Sequence, residues 1–194
     1  MSQRLIENIE KTIGKSLSQE ESAFISKLLR PTLFQKKQML CREGGTCDRI
    51  FFIEEGSCYS FITDEKGEAH VLQFALEGYW ISDLYSFFSG GESIYSIETI
   101  ETTKALELSR DDFNKACDAY PVFDRFFRVL IQNAYVALQF RLAKTTSEEA
   151  LRRYETFEKL HPDFLQRMPQ YLIASYLGIQ PQSLSRLRKK RLQR

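Results

Sequence analysis

The sequence lacks the features that would place the chain in a membrane, in a secreted disulfide-rich scaffold or in a fibre. No stretch approaches the roughly 18 consecutive apolar residues needed to cross a bilayer, because Arg, Asp, Glu or Lys interrupts every apolar run. The four cysteines lack the close paired spacing of a zinc or redox site, and no basic and then apolar leader opens the sequence. We therefore expect reduced thiols, a cytoplasmic location and no membrane partner.

Groups that could perform acid, base or nucleophilic chemistry are also scarce. His70 and His161 are the only histidines, and no close arrangement joins His, Cys or Ser to a carboxylate. An enzyme would have to build its site from side chains such as Asp83, Glu92 and Ser93. We therefore expect a protein that is not an enzyme and that carries no metal or other cofactor.

Acidic residues are absent from the last part of the chain. After Asp163 there is no Asp or Glu, while seven Arg and Lys follow. These seven belong to a total of 27, so the first 163 residues carry 20 Lys and Arg against 26 Asp and Glu, a net charge of −6. An acidic body with a basic end is typical of proteins in which one end faces a polyanion, although a solvated basic tail would give the same charges.

The composition is that of a globular chain of one or two domains, with 194 residues of which 43% are apolar and 27% charged. The first thirty residues have the apolar spacing of helices, and Pro31 is expected to end this helical segment. From residue 33 to 108 the period changes toward two, which indicates a sandwich or barrel. The predicted strands are 33–40, 49–54, 57–63, 69–75, 93–100 and 104–109.

Helices return after Ser109, which is expected to cap the first of them. Residues 122–144 then contain neither Gly nor Pro and have a broad apolar face, which predicts one long helix. That face is wider than one packing partner needs, so the helix is expected to contact both its own barrel and a second subunit. Thr146 with Glu149 predicts a capping box that opens another helix over 147–160.

The most informative stretch is 170–189, QYLIASYLGIQPQSLSRLRK. Two short helices that cross at a tight turn need a small residue at the crossing, a Gly in the turn and apolar residues at inward positions. Ala174 and Gly178 supply the first two, and Pro181 suits the first turn of the second helix. The inward positions are Ile173, Leu177, Ile179, Leu184 and Leu187. The pattern predicts a helix-turn-helix; the alternative is an amphipathic helical hairpin packed on the body of the protein.

The outward face of the second helix offers hydrogen-bond donors and no carboxylate. Arg can bind guanine bidentately, Gln can bind adenine, and Ser and Lys can hold phosphates, so this face suits the major groove of DNA. The predicted DNA-binding residues are Pro181, Gln182, Ser183, Ser185, Arg186, Arg188, Lys189 and Lys190.

The order of these elements resembles the Crp/Fnr family of bacterial transcription regulators. The resemblance rests on Gly45, Gly78, the run RIFFIEEG at 49–56 and the run IASYLGIQPQSLSRLRKK at 173–190. It implies an α+β fold: an N-terminal double-stranded β-helix, the jelly-roll or cupin-like barrel of cyclic-nucleotide-binding type, then a long dimerisation helix and a C-terminal helix-turn-helix domain. The implied boundaries are 1–120 for the effector or sensor domain, 121–144 for the dimerisation helix and 145–194 for the DNA-binding domain.

The resemblance also implies partners. Members of the family act as homodimers on double-stranded DNA with an inverted-repeat operator, and their base contacts map onto Pro181, Gln182 and Arg186. RNA polymerase and an unknown small-molecule effector are further candidate partners.

The sequence departs from the family in the phosphate-binding cassette. Nucleotide-binding members place Gly-Glu, a small turn and then Arg-Ser or Arg-Thr there, so that Arg neutralises the cyclic phosphate. In this sequence, Ser93 or Ile94 occupies the position of the phosphate-binding Arg. Loss of such a buried pair costs several kcal/mol, on the order of a thousandfold in affinity, so cyclic AMP is not the expected effector. The candidate ligand-binding residues are Ser82, Asp83, Leu84, Ser93 and Ile94, in a pocket that is empty or serves another ligand.

Two further groups of side chains are expected to fill the barrel rather than to bind a ligand. Cys41, Cys47 and Cys58 are interpreted as buried small hydrophobic residues. The aromatic group is interpreted as barrel core, with stacking on a flat ligand as the alternative; its members are Tyr79, Trp80, Tyr85, Phe87 and Phe88.

The leading hypothesis is a dimeric, sequence-specific DNA-binding transcription regulator. The alternative is a ligand-sensing module of cyclic-nucleotide-binding type that acts through protein partners, with the helix-turn-helix as a docking element. The two hypotheses differ in salt dependence, because phosphate contacts weaken steeply as salt rises.

Overall fold

The computed structural model describes residues 2–191, apart from the side chains of Leu187, Lys189, Lys190 and Arg191. The helices of this part of the chain are α1 (Gln3–Ile13), α2 (Gln19–Leu28), α3 (Leu84–Ser89), α4 (Arg110–Ala119), α5 (Pro121–Ser147), α6 (Ala150–Leu160), α7 (Pro162–Arg167), α8 (Gln170–Leu177) and α9 (Pro181–Arg191). The strands are β1 (Arg30–Phe34), β2 (Met39–Cys41), β3 (Arg49–Glu55), β4 (Cys58–Thr63), β5 (Ala69–Ala75), β6 (Trp80–Ile81), β7 (Ser96–Thr99) and β8 (Thr103–Ser109).

The strands form two four-stranded antiparallel sheets. Their orders are β1-β8-β3-β6 and β2-β7-β4-β5. This is the mixed helix and strand architecture with an antiparallel β-roll that the sequence predicts. No helix within the described residues is long and apolar enough to cross a membrane.

Alternation along β3 explains how one sheet serves two cores. Phe51 and Ile53 lie in a cluster with Phe34, Cys41, Cys47 and Cys58. Ile50 and Phe52 point the other way, into a cluster with α1, α2, α4 and the first turns of α5. Because successive strand residues face opposite sides, a run of apolar residues places a sheet between two apolar layers.

The chain divides into two compact units. The first consists of Met1–Ser60 and Phe74–Ala134, and it contains both clusters around β3. The second consists of Phe61–Gln73, which is the tip of the β4-β5 hairpin, together with Tyr135–Arg194. Its buried side chains are Val71 of β5 and a set from α6 to α9 and the turns between them: Tyr154, Phe157, Phe164, Met168, Leu172, Ile173, Ala174, Leu177, Ile179 and Leu184.

Several predicted boundaries are wrong for local reasons. The predicted strand 33–40 is two strands, because a turn at 35–38 with Lys37 at φ 63° separates β1 from β2. The predicted strand 93–100 pairs only as β7, since Ser93 is used by the cassette described below. Pro31 does not end the helical segment; it lies in β1, an edge strand that tolerates a residue without an N–H.

The predicted capping box is also wrong. Helix α5 continues to Ser147, and the Thr146 hydroxyl donates to the carbonyl of Leu142 within that helix. Helix α6 starts at Ala150 after Glu149, whose side chain makes no cap hydrogen bond. By contrast, Ser109 caps α4 as predicted, since its hydroxyl accepts the backbone N–H of Asp112.

Candidate functional site

Helices α8 and α9 meet across a tight turn at Gly178. Gly178 has φ 62° and ψ 40°, a left-handed conformation that costs a residue with a Cβ about 1 kcal/mol or more. Its N–H bonds to the carbonyls of Ala174 and Ser175, and the N–H of Ile179 donates to Ala174 at 2.9 Å. Four of the five predicted inward residues are buried: Ile173, Leu177, Ile179 and Leu184. The side chain of Leu187, the fifth, lies outside the described residues.

An arginine from α6 completes this turn. The Nε of Arg153 donates to the carbonyl of Leu177 at 2.9 Å, and its Nη2 donates to the carbonyl of Gly178 at 3.2 Å. Its Nη1 donates to the carbonyl of Glu148. The last carbonyls of a helix have no partner within the helix, so this guanidinium stabilises the end of α8. The sequence gives no sign of this role, because 24 residues separate Arg153 from Leu177.

The outward face of α9 is accessible along the residues that the structure describes. Pro181, Gln182, Ser183, Ser185 and Arg186 are exposed, and Arg188 is half-buried. The side chains of Lys189 and Lys190 lie outside the described residues. Leu184 of the same helix is only 1% exposed, so α9 has a buried inner side and a polar outer side.

The tip of the β4-β5 hairpin is bonded to α8 within the second unit. The hydroxyl of Ser175 accepts the N–H of Val71 at 2.9 Å and donates to the carbonyl of Ala69 at 2.8 Å. Ser175 thus pairs with strand β5 as a neighbouring strand would, through one acceptor and one donor. Sequence reasoning missed this contact, because Ser175 stands more than 100 residues from its partners.

A second contact joins the hairpin tip to α5. The guanidinium of Arg141 donates to the carbonyl of Val71 at 3.4 Å and to that of Leu72. It also lies 4.7 Å from the ring centroid of Tyr176, a cation–π distance. Helix α8 is therefore held to the hairpin by both a hydroxyl and a shared guanidinium.

The turn of this hairpin is organised by Asp64. Its carboxylate accepts the N–H groups of Lys66 and Glu68 and pairs with His70 at 2.9 Å. The hydrogen bond with His70 is the main cause that lowers the pKa of Asp64. Asp64, Glu68 and His70 could each offer a metal one ligand atom, but Asp64 already has turn donors as its partners.

In the first unit, the predicted ligand cassette is centred on a fully buried carboxylate. Asp83 precedes α3, and its Oδ1 accepts the N–H groups of Tyr85 at 2.9 Å and Ser86 at 3.2 Å. Its Oδ2 accepts the hydroxyl of Ser93 at 2.6 Å and the N–H of Ile94 at 2.8 Å. These backbone and hydroxyl donors form the kind of nest that binds an anion, and here a side chain of the protein fills it.

The structure brings three of the five predicted ligand residues together around that carboxylate. Asp83, Ser93 and the backbone of Ile94 share hydrogen bonds, while the Ile94 side chain is 52% exposed. Ser82 donates its hydroxyl to the carbonyl of Arg49 at 2.7 Å. Leu84 packs at the edge of the helical core and not at the carboxylate. The position where the family carries Arg is therefore occupied by donors to Asp83.

The aromatic group divides between core and surface. Phe87 is fully buried and Trp80 packs against the helical core, where its Nε1 donates to Asn8 at 3.0 Å. The expectation of barrel core is wrong for the other three, which are 41% to 56% exposed: Tyr79, Tyr85 and Phe88. Cys41, Cys47 and Cys58 are buried as expected.

Comparison with known proteins agrees with this architecture. Residues 31–120 match the model of the cyclic nucleotide-binding domain family. A search of curated proteins gives no match. FixK2 from Bradyrhizobium japonicum is similar with a TM-score of 0.72 and 17% identity, over 84% of this chain and 83% of that one.

Two further solved structures extend the similarity over more of the chain. The catabolite activator protein of Thermus thermophilus has a TM-score of 0.60 and 18% identity, over 92% of this chain and 85% of that one. A regulator ascribed to the Crp/Fnr family from Eubacterium rectale has a TM-score of 0.66 and 13% identity, over 91% and 85%. Residues 31–120 are therefore similar to a cyclic nucleotide-binding domain, and the chain shares the fold of these solved regulators.

Proposed function

We propose that this protein is a dimeric transcription regulator that binds a specific DNA sequence through α9. The observation that carries the proposal is the exposed outward face of α9, which is free of acidic side chains and stands on a helix with a buried inner side. Gln182 and Arg186 are one helical turn apart on that face, a spacing that suits contacts with neighbouring base edges.

Charge supports DNA over a protein as the partner of this face. The chain after Asp163 carries seven cations and no acid. Each Lys or Arg that meets a phosphate releases condensed counterions, so binding through this segment should weaken steeply as salt rises. A docking element for an ordinary protein surface would gain little from removing every carboxylate.

An exposed apolar stretch of α5 supports a homodimer. Tyr135, Leu138 and Leu142 are 61%, 54% and 60% exposed and follow one another at spacings of three and four. Residues at these spacings share one face of a helix, and an exposed apolar face of this kind marks an interface. Two copies joined along α5 would present two α9 helices to an inverted repeat, with half-site centres roughly 34 Å apart.

The cassette supports an effector other than cyclic AMP. A cyclic phosphate is an anion, and the donors that could hold it already bind the Asp83 carboxylate. Two anions in one buried nest repel each other, and no Arg stands at position 93 or 94 to offset the charge. Control through another effector or through contact with RNA polymerase would act by favouring one placement of the two α9 helices.

The proposal is tested by repeated selection of random duplex DNA with the purified full chain at moderate salt. The expected product is an inverted repeat. The variant with both Gln182→Ala and Arg186→Ala should enrich no sequence, while the control Lys27→Ala, which removes an exposed cation of α2, should enrich the same repeat. Cyclic AMP should leave the affinity for the selected site unchanged.

Two outcomes would contradict the proposal. An equal yield from the double variant would remove α9 as the reading helix. Failure of the unmodified protein to enrich any sequence, together with weak and salt-insensitive DNA binding, would favour the module that acts through protein partners.

A further inference from the structure

Two cysteines of the first unit share a polar setting next to the cassette. Cys41 ends β2 and Cys47 precedes β3, and their side chains are 5% and 3% exposed. The two side chains lie close enough for each thiol to shift the pKa of the other. The Sγ of Cys41 also lies 3.0 Å from the hydroxyl of Ser93, and that of Cys47 lies 3.6 Å from the hydroxyl of Ser82.

The segment between the two cysteines is short and tied down. Residues 42–46 turn through Gly44 and Gly45, and the N–H of Gly44 donates to the carbonyl of Ser93 at 2.8 Å. The N–H of Ser93 donates in return to the carbonyl of Gly45 at 2.6 Å. Both thiols are thus held at the ends of one short loop, so little chain entropy opposes a bond between them.

The two thiols differ in their readiness to lose a proton. Interaction with the Cys41 thiol is the main cause that lowers the pKa of Cys47 below its ordinary value, with further help from the backbone of Asp83 and the hydroxyl of Ser82. The same interaction and burial raise the pKa of Cys41. Cys47 is therefore the thiol of the pair that loses its proton more readily. A thiolate is the nucleophilic form of cysteine.

The pKa values of Cys58 and Cys117 provide a comparison within the chain. Cys58 is fully buried in the same core, and burial alone raises its pKa. Cys117 is half-buried on α4, and burial raises its pKa to about 11. Both should remain thiols under conditions that ionise Cys47.

We propose that Cys41 and Cys47 form a reversible intramolecular disulfide when the protein meets a peroxide. The Cys47 thiolate attacks one oxygen of hydrogen peroxide, the O–O bond breaks, and the released hydroxide takes up the proton that Cys47 lost to the solvent when it ionised. The resulting Cys47 sulfenic acid is attacked by the sulfur of Cys41; the S–S bond forms, the S–O bond breaks, and the leaving hydroxide takes the Cys41 proton. Overall two thiols and one peroxide give one disulfide and two water molecules.

The disulfide would alter the cassette, because it removes the thiol partners of Ser93 and Ser82. Ser93 is also the hydroxyl donor to Asp83. In a reducing compartment a disulfide of this kind is transient and responds to the redox state. The pair is therefore a modification site through which an oxidant could act on the cassette without any ligand.

The chain offers a direct test by trypsin digestion and mass spectrometry. Trypsin cleaves after Arg42, so Cys41 falls in the peptide 38–42 and Cys47 in the peptide 43–49. The reduced full chain is treated with a small excess of hydrogen peroxide, alkylated under denaturing conditions and digested. We expect the two peptides as one linked species, a fall from four free thiols to two, and recovery of all four with dithiothreitol.

Single variants assign the roles of the two cysteines. Cys41→Ser should give no linked species and leave a Cys47 sulfenic acid that dimedone traps, whereas Cys47→Ser should give neither product. Cys117→Ser, the control, should form the linked species as the unmodified chain does, and circular dichroism checks that every variant is folded. Unmodified thiols at both Cys41 and Cys47, oxidation confined to Cys117, or a disulfide between chains would each overturn the proposal.

Discussion

Replacement of Ser175 by alanine should loosen the β4-β5 hairpin tip without disturbing the first unit. The hydroxyl makes two hydrogen bonds, to the N–H of Val71 and to the carbonyl of Ala69. Ala69 is exposed, so water can replace its lost partner, whereas Val71 is 3% exposed and its N–H would be left unpaired. One net hydrogen bond and one unsatisfied donor amount to about 1–2 kcal/mol.

Amide hydrogen exchange of the Val71 N–H measures this effect directly. A loss of about 1–2 kcal/mol corresponds to roughly 5-fold to 30-fold faster exchange at this amide. The indole of Trp80 lies in the first unit, so its fluorescence during denaturation should be unchanged. Ser16→Ala, which changes an exposed loop serine, is the control. Unchanged exchange at Val71 in Ser175→Ala would refute the pairing of this hydroxyl with β5.

Three further substitutions test the cassette, the turn and the aromatic core. Asp83→Ala leaves four donors without their acceptor and should destabilise the first unit by about 2–4 kcal/mol in urea denaturation; a loss below about 0.5 kcal/mol would contradict the nest. Gly178→Ala should lower the stability of the second unit by about 1–2 kcal/mol, because alanine is strained at φ 62°, and an unchanged thermal midpoint would argue against that conformation. Burial lowers the pKa of His161 below its ordinary value of 6.5, so the unfolded chain binds more protons than the folded chain as pH falls through that value. Stability should therefore be fully present above pH 6.5 and decline below it, and His161→Phe should flatten this part of the profile; an identical profile would exclude His161 as its source.

Local patterns in the sequence predict much of the fold and the frame of the helix-turn-helix. Three predictions depend on geometry within a few residues: the small Ala174, the turn at Gly178 and a strand over 49–54. All three appear in the structure. The broken strand at Lys37 was not predictable in the same way. A left-handed residue other than glycine leaves no clear sign in composition.

Contacts between distant residues account for what the sequence does not reveal of the site. Asp83 is named among the cassette residues from the sequence, but its role as an internal anion depends on Ser93 and Ile94 folding back onto it. Arg153 of α6, which bonds to the end of α8, and Ser175 of α8, which bonds to β5, are likewise defined by their partners rather than by their neighbours in the chain. Polar side chains gain such roles only when the fold brings a donor and an acceptor together.

Base reading by the outward face of α9 can be measured as binding to duplexes that differ by one base pair. Fluorescence anisotropy gives the affinities of the unmodified chain and of Arg186→Ala for the selected duplex and for each of its single-base variants. Arg186→Ala should lose about 1–3 kcal/mol of discrimination at one base pair per half-site and little at the others. An equal loss of affinity for every duplex would contradict base reading, since Arg186 would then serve only as a phosphate contact.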